Sequence, residues 1–112
     1  MPPFAPHTSM RYTRFGVAIQ SFARVEIERF FLEGRLPKGV GWAQVAEVVA
    51  RKLDLLEYAA RLGDLASPPG NRLEALKGDL QGRHSIRIND QWRVVFRWTG
   101  SGPAEVDICD YH

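Results

Sequence analysis

Two periods run along this chain of 112 residues, and one gives way to the other near residue 72. Before that point apolar side chains recur every three or four positions, which lines up a stripe on one side of a helix. Beyond it they recur every second position, as on a strand with one covered face. In 42–62, "WAQVAEVVARKLDLLEYAARL", the stripe is Trp42, Val45, Val49, Leu53, Leu56 and Ala60, with Gly63 placed to end the helix. In 23–33, "ARVEIERFFLE", it is Ala23, Ile27, Phe30 and Phe31, while Arg24, Glu28 and Glu33 point elsewhere. Gly34 suits the position just past the last turn, and Pro37 prevents simple continuation. Ahead of this helix "AIQSF", 18–22, alternates weakly and reads as a short first strand. Residues 1–16 have no period and read as a flexible extension of a single domain at 17–112.

The two prolines of "SPPGN", 67–71, mark a loop. After it "RLEAL", 72–76, is a candidate strand and "GDLQG", 78–82, a turn. "HSIRI", 84–88, puts His84, Ile86 and Ile88 on one face, and Ser85 and Arg87 on the other. "NDQ" supplies turn chemistry. "WRVVFRW", 92–98, separates Trp92, Val94, Phe96 and Trp98 from Arg93, Val95 and Arg97. After the turn "TGSGP", the segment "AEVDICDYH" reads as the last strand, with Val106 and Ile108 on its apolar face. Helices and strands in separate blocks specify an α+β fold, with two N-terminal helices packed on one face of a small antiparallel sheet. The covered face takes Ile86, Ile88, Trp92, Val94, Phe96 and Trp98. The open face is left to Arg87, Arg93 and Arg97, which are expected to line a groove.

Charge sharpens this picture. Residues 72–98 hold six basic side chains (Arg72, Lys77, Arg83, Arg87, Arg93, Arg97) against three acidic ones (Glu74, Asp79, Asp90), a local +3. The remainder holds nine against ten, or −1, so the net +2 is concentrated in one region. A localised excess of this kind suggests an anionic partner, and a solvated sheet face is the plainer alternative. Cys109 is the only cysteine, which excludes an intrachain disulfide. His7, His84 and His112 lie far apart, without zinc spacing, and no cofactor or metal is expected. No apolar run approaches the roughly 20 residues of a membrane helix, and "MPPFAPHTSM" lacks a signal-peptide core, so a cytoplasmic protein is expected.

Arginine stays charged at any relevant pH and offers a planar fork of donors that matches a phosphate. A basic sheet face can therefore stabilise charge developing at phosphorus. Metal-free RNA cleavage needs, in addition, a group that takes the 2′-OH proton and one that protonates the departing 5′ oxygen. The chain closes on three proton-handling residues, Asp110, Tyr111 and His112. The imidazole of His112 titrates near neutral pH. Tyr111 is a weaker acid that can instead stack on an unpaired base, and Asp110 can act as a base or orient the imidazole. Solvated terminal residues are the plainer reading. In a regular strand Asp110 and His112 share parity with Ile108 while Tyr111 lies opposite, so a bend or bulge is needed to bring all three to one groove. Glu74 can pair with Arg72 or Lys77 or do acid–base work. His84, Trp92 and Trp98 have core parity and read as packing residues, and Cys109 reads as an inert thiol.

The segment "RLEALKGDLQGRHSIRINDQWRVVFRW" followed by the terminal "DYH" resembles the HigB toxins of bacterial type II toxin–antitoxin modules, within the RelE/ParE-like superfamily. The elements "LKGD", "SIRIN" and "WR" occur in the family's order, and "SFARVEIERFF" is similar to the family's opening strand and helix. The resemblance covers about residues 17–112. It implies a microbial-RNase-like α+β fold and a ribosome-dependent endoribonuclease that cuts mRNA in the ribosomal A site. Attack by the 2′-OH would leave a cyclic phosphate, without a metal. It implies neutralisation by a helix-turn-helix antitoxin, HigA, which also binds operator DNA. Lys77 and Arg93 match basic residues at the scissile phosphate, Asp110, Tyr111 and His112 match the terminal motif, and Arg87 matches a position that varies. Arg72, Arg83 and Arg97 are added as phosphate contacts on charge. Some relatives carry histidine where this chain has Glu74, and a carboxylate donates a proton near neutral pH only if its pKa is raised. Relatives also open near "I-K-S-F", so translation is expected to start near Val17 or Met10. The alternatives are a ParE-like inhibitor of DNA gyrase, with the basic face as docking surface, and a degenerate toxin that only binds its antitoxin.

Overall fold

The computed structural model describes residues 18–111. The expected extension at 1–16, the suggested starts at Met10 and Val17, and the candidate acid–base residue His112 lie outside them.

Two helices come first. Helix α1 (Val25–Glu33) buries Ile27 and Phe30. It ends where the stripe predicts: Gly34 takes a left-handed φ of 73° and its N–H donates to the Phe30 carbonyl at 2.9 Å. It begins two residues later than the pattern suggests, because Arg24 is extended and its guanidinium reaches Asp107, 2.5 Å away on the last strand. Helix α2 (Ala46–Tyr58) buries Val49, Leu53 and Leu56, one side of the predicted stripe. Its ends depart from 42–62. Residues Ala43–Val45 form a 3-10 turn. At the other end the Asp64 carboxylate accepts the N–H groups of Ala60 and Arg61, at 2.9 and 3.1 Å. Those donors would otherwise extend α2, and instead they start the separate 3-10 turn Leu62–Ala66.

The strands β1 (Glu74–Ala75), β2 (His84–Arg87), β3 (Trp92–Thr99) and β4 (Gly102–Asp110) form one antiparallel sheet in chain order. Asn89 shapes the β2–β3 turn by accepting the N–H groups of Gln91 and Trp92, both at 2.8 Å. The strand expected at 72–76 is confined to two residues, following Arg72 in the left-handed region at φ 48°. The strand expected at 18–22 is reduced to a single parallel bridge, Phe22 to Val106. The cause lies in β4, which bulges against β3 between Val95 and Arg97 and holds Glu105 at φ 54°. There the Glu105 N–H donates to the Ser21 hydroxyl at 2.9 Å rather than to a backbone carbonyl, so a ladder cannot propagate.

Both helices contribute to one core with the sheet. Ile27, Phe30, Trp42, Val49, Leu53 and Leu56 share it with Ile86, Ile88, Val94, Phe96, Val106 and Ile108. Trp92 and Trp98 pack half-buried at its margin, as their parity indicates. Two buried polar groups tie loops to α2. Glu57 accepts the Ile19 N–H at 3.0 Å. Asn71, fully buried, donates to the carbonyls of Leu65 and Ser67 and accepts from the Lys52 ammonium at 2.5 Å. No helix among the described residues is long and apolar enough to cross a membrane.

Gly41 is fixed by contact rather than by φ. A Cβ there would lie 2.6 Å from Cζ2 of the Trp92 ring. Gly41→Ala is therefore expected to destabilise the protein by about 1–3 kcal/mol, the range for overpacking. The reading is a lower urea midpoint at unchanged slope. Gly63→Ala, with nothing within 4 Å of the added carbon, is expected to leave the midpoint nearly unchanged.

Candidate functional site

The bare face of the sheet carries the candidate chemistry, in an arrangement the alternation pattern only partly anticipates. Register sets Glu74 of β1 opposite Ser85 of β2, and Arg87 of β2 opposite Arg93 of β3. Arg93 reaches diagonally to the first pair, as long side chains do across a sheet. Its Nη1 lies 3.1 Å from the Glu74 carboxylate and donates to the Ser85 hydroxyl and the Arg72 carbonyl, each at 3.3 Å. The β3–β4 ladder runs one step past Asp110, where the Tyr111 N–H donates to the Gln91 carbonyl at 2.5 Å, and alternation sets Tyr111 on the same face as Arg93. This puts the Tyr111 ring over the guanidinium, 4.3 Å from its carbon, with the phenol Oη 3.5 Å from Glu74 Oε1. Arg93, Glu74 and Tyr111 thus come from three separated segments to one point. Asp110 does not join them. It stands opposite Trp92, and its carboxylate accepts from the Gln91 side chain at 3.0 Å.

Arg93 is only 7% exposed, which corrects the expectation of a guanidinium projecting into an open groove. The charge is tolerated because it is paired, hydrogen-bonded and stacked. Three other arginines are also answered from within the chain. Arg87 pairs with Asp90 in the β2–β3 turn. Arg83 and Arg97 share Glu105, at 2.6 and 3.1 Å, one on each carboxylate oxygen. These two guanidinium groups, Arg83 first, hold the Glu105 carboxyl below its usual pKa. Lys77, at the entry to the turn Gly78–Leu80, and Arg72 stay exposed.

Beside Arg93 runs a groove of about 470 Å³. Val95, Phe22 and Leu80 supply its apolar lining, and Arg83, Glu105, Asp107 and Cys109 its polar one. Of the expected groove arginines Arg87, Arg93 and Arg97, none lines it; Arg83 does. Cys109 stands opposite Arg93 across β3 and β4, and burial, then Asp107, pushes its thiol up to about 11. His84 stacks on Phe96 at 6.3 Å, the packing role its parity predicts. Ser85, Glu105 and Asp107 are functional-face residues that the sequence reading passed over. Strict alternation through 84–88 already pointed Ser85 at the Arg93 face; nothing short of the β3–β4 register brings Glu105 and Asp107 there.

The profile of the family described as RelE-like toxin of type II toxin–antitoxin system HigB matches residues 20–112. The chain belongs to the HigB-like toxin family. It is 45% identical over 70 residues to Toxin HigB-1 of Vibrio cholerae, covering 62% of this chain and 73% of that one. It is 29% identical over 94 residues to Endoribonuclease HigB of Proteus vulgaris, covering 84% and 99%. Among solved structures, the YoeB-YefM complex from Staphylococcus aureus is similar with a TM-score of 0.47 and 19% identity over 88% of this chain and 98% of that one. The HigB-like family assigns this chain the toxin's place in a toxin–antitoxin pair, and with it an antitoxin partner.

In this HigB-like toxin the stacked arginine and the buried thiol give two measurable consequences. Arg93→Ala removes the ion pair of Glu74 and the donor of Ser85, and a loss of about 1–3 kcal/mol is expected in urea unfolding. Tyr111→Ala removes an exposed stack and the long hydrogen bond from the phenol to Glu74, and is expected to lose about 0.5–1 kcal/mol. Cys109, with a thiol pKa near 11, is almost wholly protonated at pH 8. Iodoacetamide is expected to alkylate the folded protein much more slowly than the urea-unfolded one, as followed by intact mass.

Proposed function

We propose that this toxin is an endoribonuclease that cuts mRNA on the ribosome, and that the Glu74–Arg93–Tyr111 constellation is its reacting centre. That constellation is the observation that carries the reading. A carboxylate, a permanently charged guanidinium and a phenol converge from separate segments on the uncovered sheet face. The similarity to Endoribonuclease HigB of Proteus vulgaris, which this chain spans almost end to end, supports the same reading.

Each group takes a role suited to its chemistry. Glu74, half-exposed, accepts the proton of the 2′-OH as its oxygen attacks phosphorus. Arg93, held in place before substrate arrives, stabilises the added negative charge on the phosphoryl oxygens. The bond from phosphorus to the 5′ oxygen breaks, and the leaving oxygen takes a proton from the terminal segment, where His112 and Tyr111 are the candidates. The products are a 2′,3′-cyclic phosphate and a 5′-OH end, with every proton accounted for and no metal in the sequence of steps. Lys77 and Arg72, exposed at the margin, contact flanking phosphates, and Arg83, Arg87 and Arg97 extend the basic surface toward RNA. Asp110 orients the terminal segment through Gln91. The positive surface favours docking on ribosomal RNA, and such binding weakens steeply with salt. Neutralisation falls to a HigA-like helix-turn-helix antitoxin, which carries the pair to operator DNA in the cytoplasm.

Primer extension on a reporter mRNA, with and without programmed 70S ribosomes, tests this. Cuts are expected only with ribosomes, with Glu74→Gln and Arg93→Ala each slowing cleavage by about 10²-fold or more. Circular dichroism at the assay temperature establishes that both variants are folded. Full cleavage by both variants would move the reacting centre elsewhere, and intact mRNA with the wild type would remove the nuclease reading.

A further inference from the structure

The Arg83–Glu105–Arg97 cluster is built in a way that packing does not require. Glu105 is a non-glycine residue in the left-handed region, at φ 54°, on the bulge of β4. Few side chains adopt that conformation without a reason in their surroundings. Its consequence is positional: the carboxylate stands between two guanidinium groups from β3 and the β2 approach, giving one oxygen to each. All three side chains are open to water, at 29% exposure for Arg83, 46% for Arg97 and 41% for Glu105. A buried ion cluster would be structural; an exposed one of this kind adds little stability. Two neighbouring guanidinium groups that each donate to one oxygen of a shared anion offer the same two contacts to the non-bridging oxygens of a phosphodiester.

We propose that the Arg83–Arg97 pair is a phosphate-binding site for a single-stranded RNA backbone, and that Glu105 masks it by occupying the place of the phosphate. The inference rests on the nuclease reading of the neighbouring centre and adds to it a second contact along the strand. The groove supports this direction. It starts at Arg83 and Glu105 and is lined by Val95, Phe22 and Leu80, apolar surface against which an unstacked base can lie. Cys109, on its wall, stands opposite Arg93 in register, so the groove holds Arg83 and Glu105 and borders the arginine of the proposed reacting centre. Asp107, the other carboxylate there, is held by Arg24 and does not compete for Arg83. RNA entering the site must therefore displace one carboxylate. The mask lowers affinity for any stray polyanion, while a strand anchored elsewhere as well can overcome it.

Removal of the masking charge tests this directly. Fluorescence anisotropy with a short labelled RNA carrying 2′-deoxy substitutions, so that it cannot be cut, gives the affinity across a salt series. Glu105→Gln is expected to bind about 10-fold more tightly than wild type, and its log K against log salt to steepen by one to two contacts at about 0.7 per phosphate. The double variant Glu105→Gln with Arg83→Ala is expected to lose that gain. Urea unfolding of each variant verifies the fold. Unchanged or weaker binding by a folded Glu105→Gln, beside a wild type that still cleaves mRNA on ribosomes, would overturn the mask and leave the nuclease reading standing. A tightening that persists in the double variant would overturn the assignment of the site to Arg83. Absence of both RNA binding and cleavage would overturn the two together.

Discussion

A sheet covered on one face only must solve two problems with alternate residues of the same strands. In this toxin α1 and α2 dry one face, and the hydrophobic burial of Ile86, Val94, Phe96, Val106 and Ile108 anchors β2, β3 and β4 beneath them. The residues between them then have nowhere to go but the bare face, where Arg93 is nearly buried even without a covering layer. Its pairing with Glu74, Ser85 and the Arg72 carbonyl makes that position tolerable. β1, only two residues long, is held at its place partly because it delivers Glu74 to that arginine. The candidate chemistry is thus a by-product of the need to satisfy one charge on an uncovered sheet.

The period change near residue 72, the helix stripes and the α+β class were legible because each rests on local spacing. So was Gly34 as a terminator, since a left-handed φ is a property of one residue. The end of α2 was not. Its stripe runs on through Ala60, and only the Asp64 side chain, reaching back to two backbone donors, cuts it at Tyr58. The first strand failed for a similar reason: "AIQSF" has the right alternation, but the partner it needs is bulged at Glu105.

The residues of the candidate site were legible in composition, and the charge around them was misread. Arg93, Tyr111, Glu74 and Lys77 were all named from the sequence, and three of them meet. Counting charge in the window 72–98 gave +3, yet β4 folds back alongside that window and brings Glu105 and Asp107 with it. A sum over contiguous residues cannot include a strand that arrives from outside them. On the resulting surface Arg83, Arg87, Arg93 and Arg97 are each held by a carboxylate, while Arg72 and Lys77 stay exposed. Under the proposed function, RNA meeting the four paired arginines exchanges one anion for another instead of filling a bare positive surface.

The sheet and the segment before α1 differ in how far apart their partners lie along the chain. β1 to β4 are joined in chain order by short turns, so their contacts are nearly local. The Arg24–Asp107 pair and the Ser21–Glu105 hydrogen bond instead close separations of 83 and 84 residues. Closing a loop of that size carries an entropic cost that local hairpins escape. The meander can therefore pair through near-neighbour contacts, whereas α1 and the 18–24 segment ahead of it both dock across long loops. Ser21 and Arg24 act as a latch between the first and the last described segments of the toxin, fastened by side-chain hydrogen bonds to β4 residues.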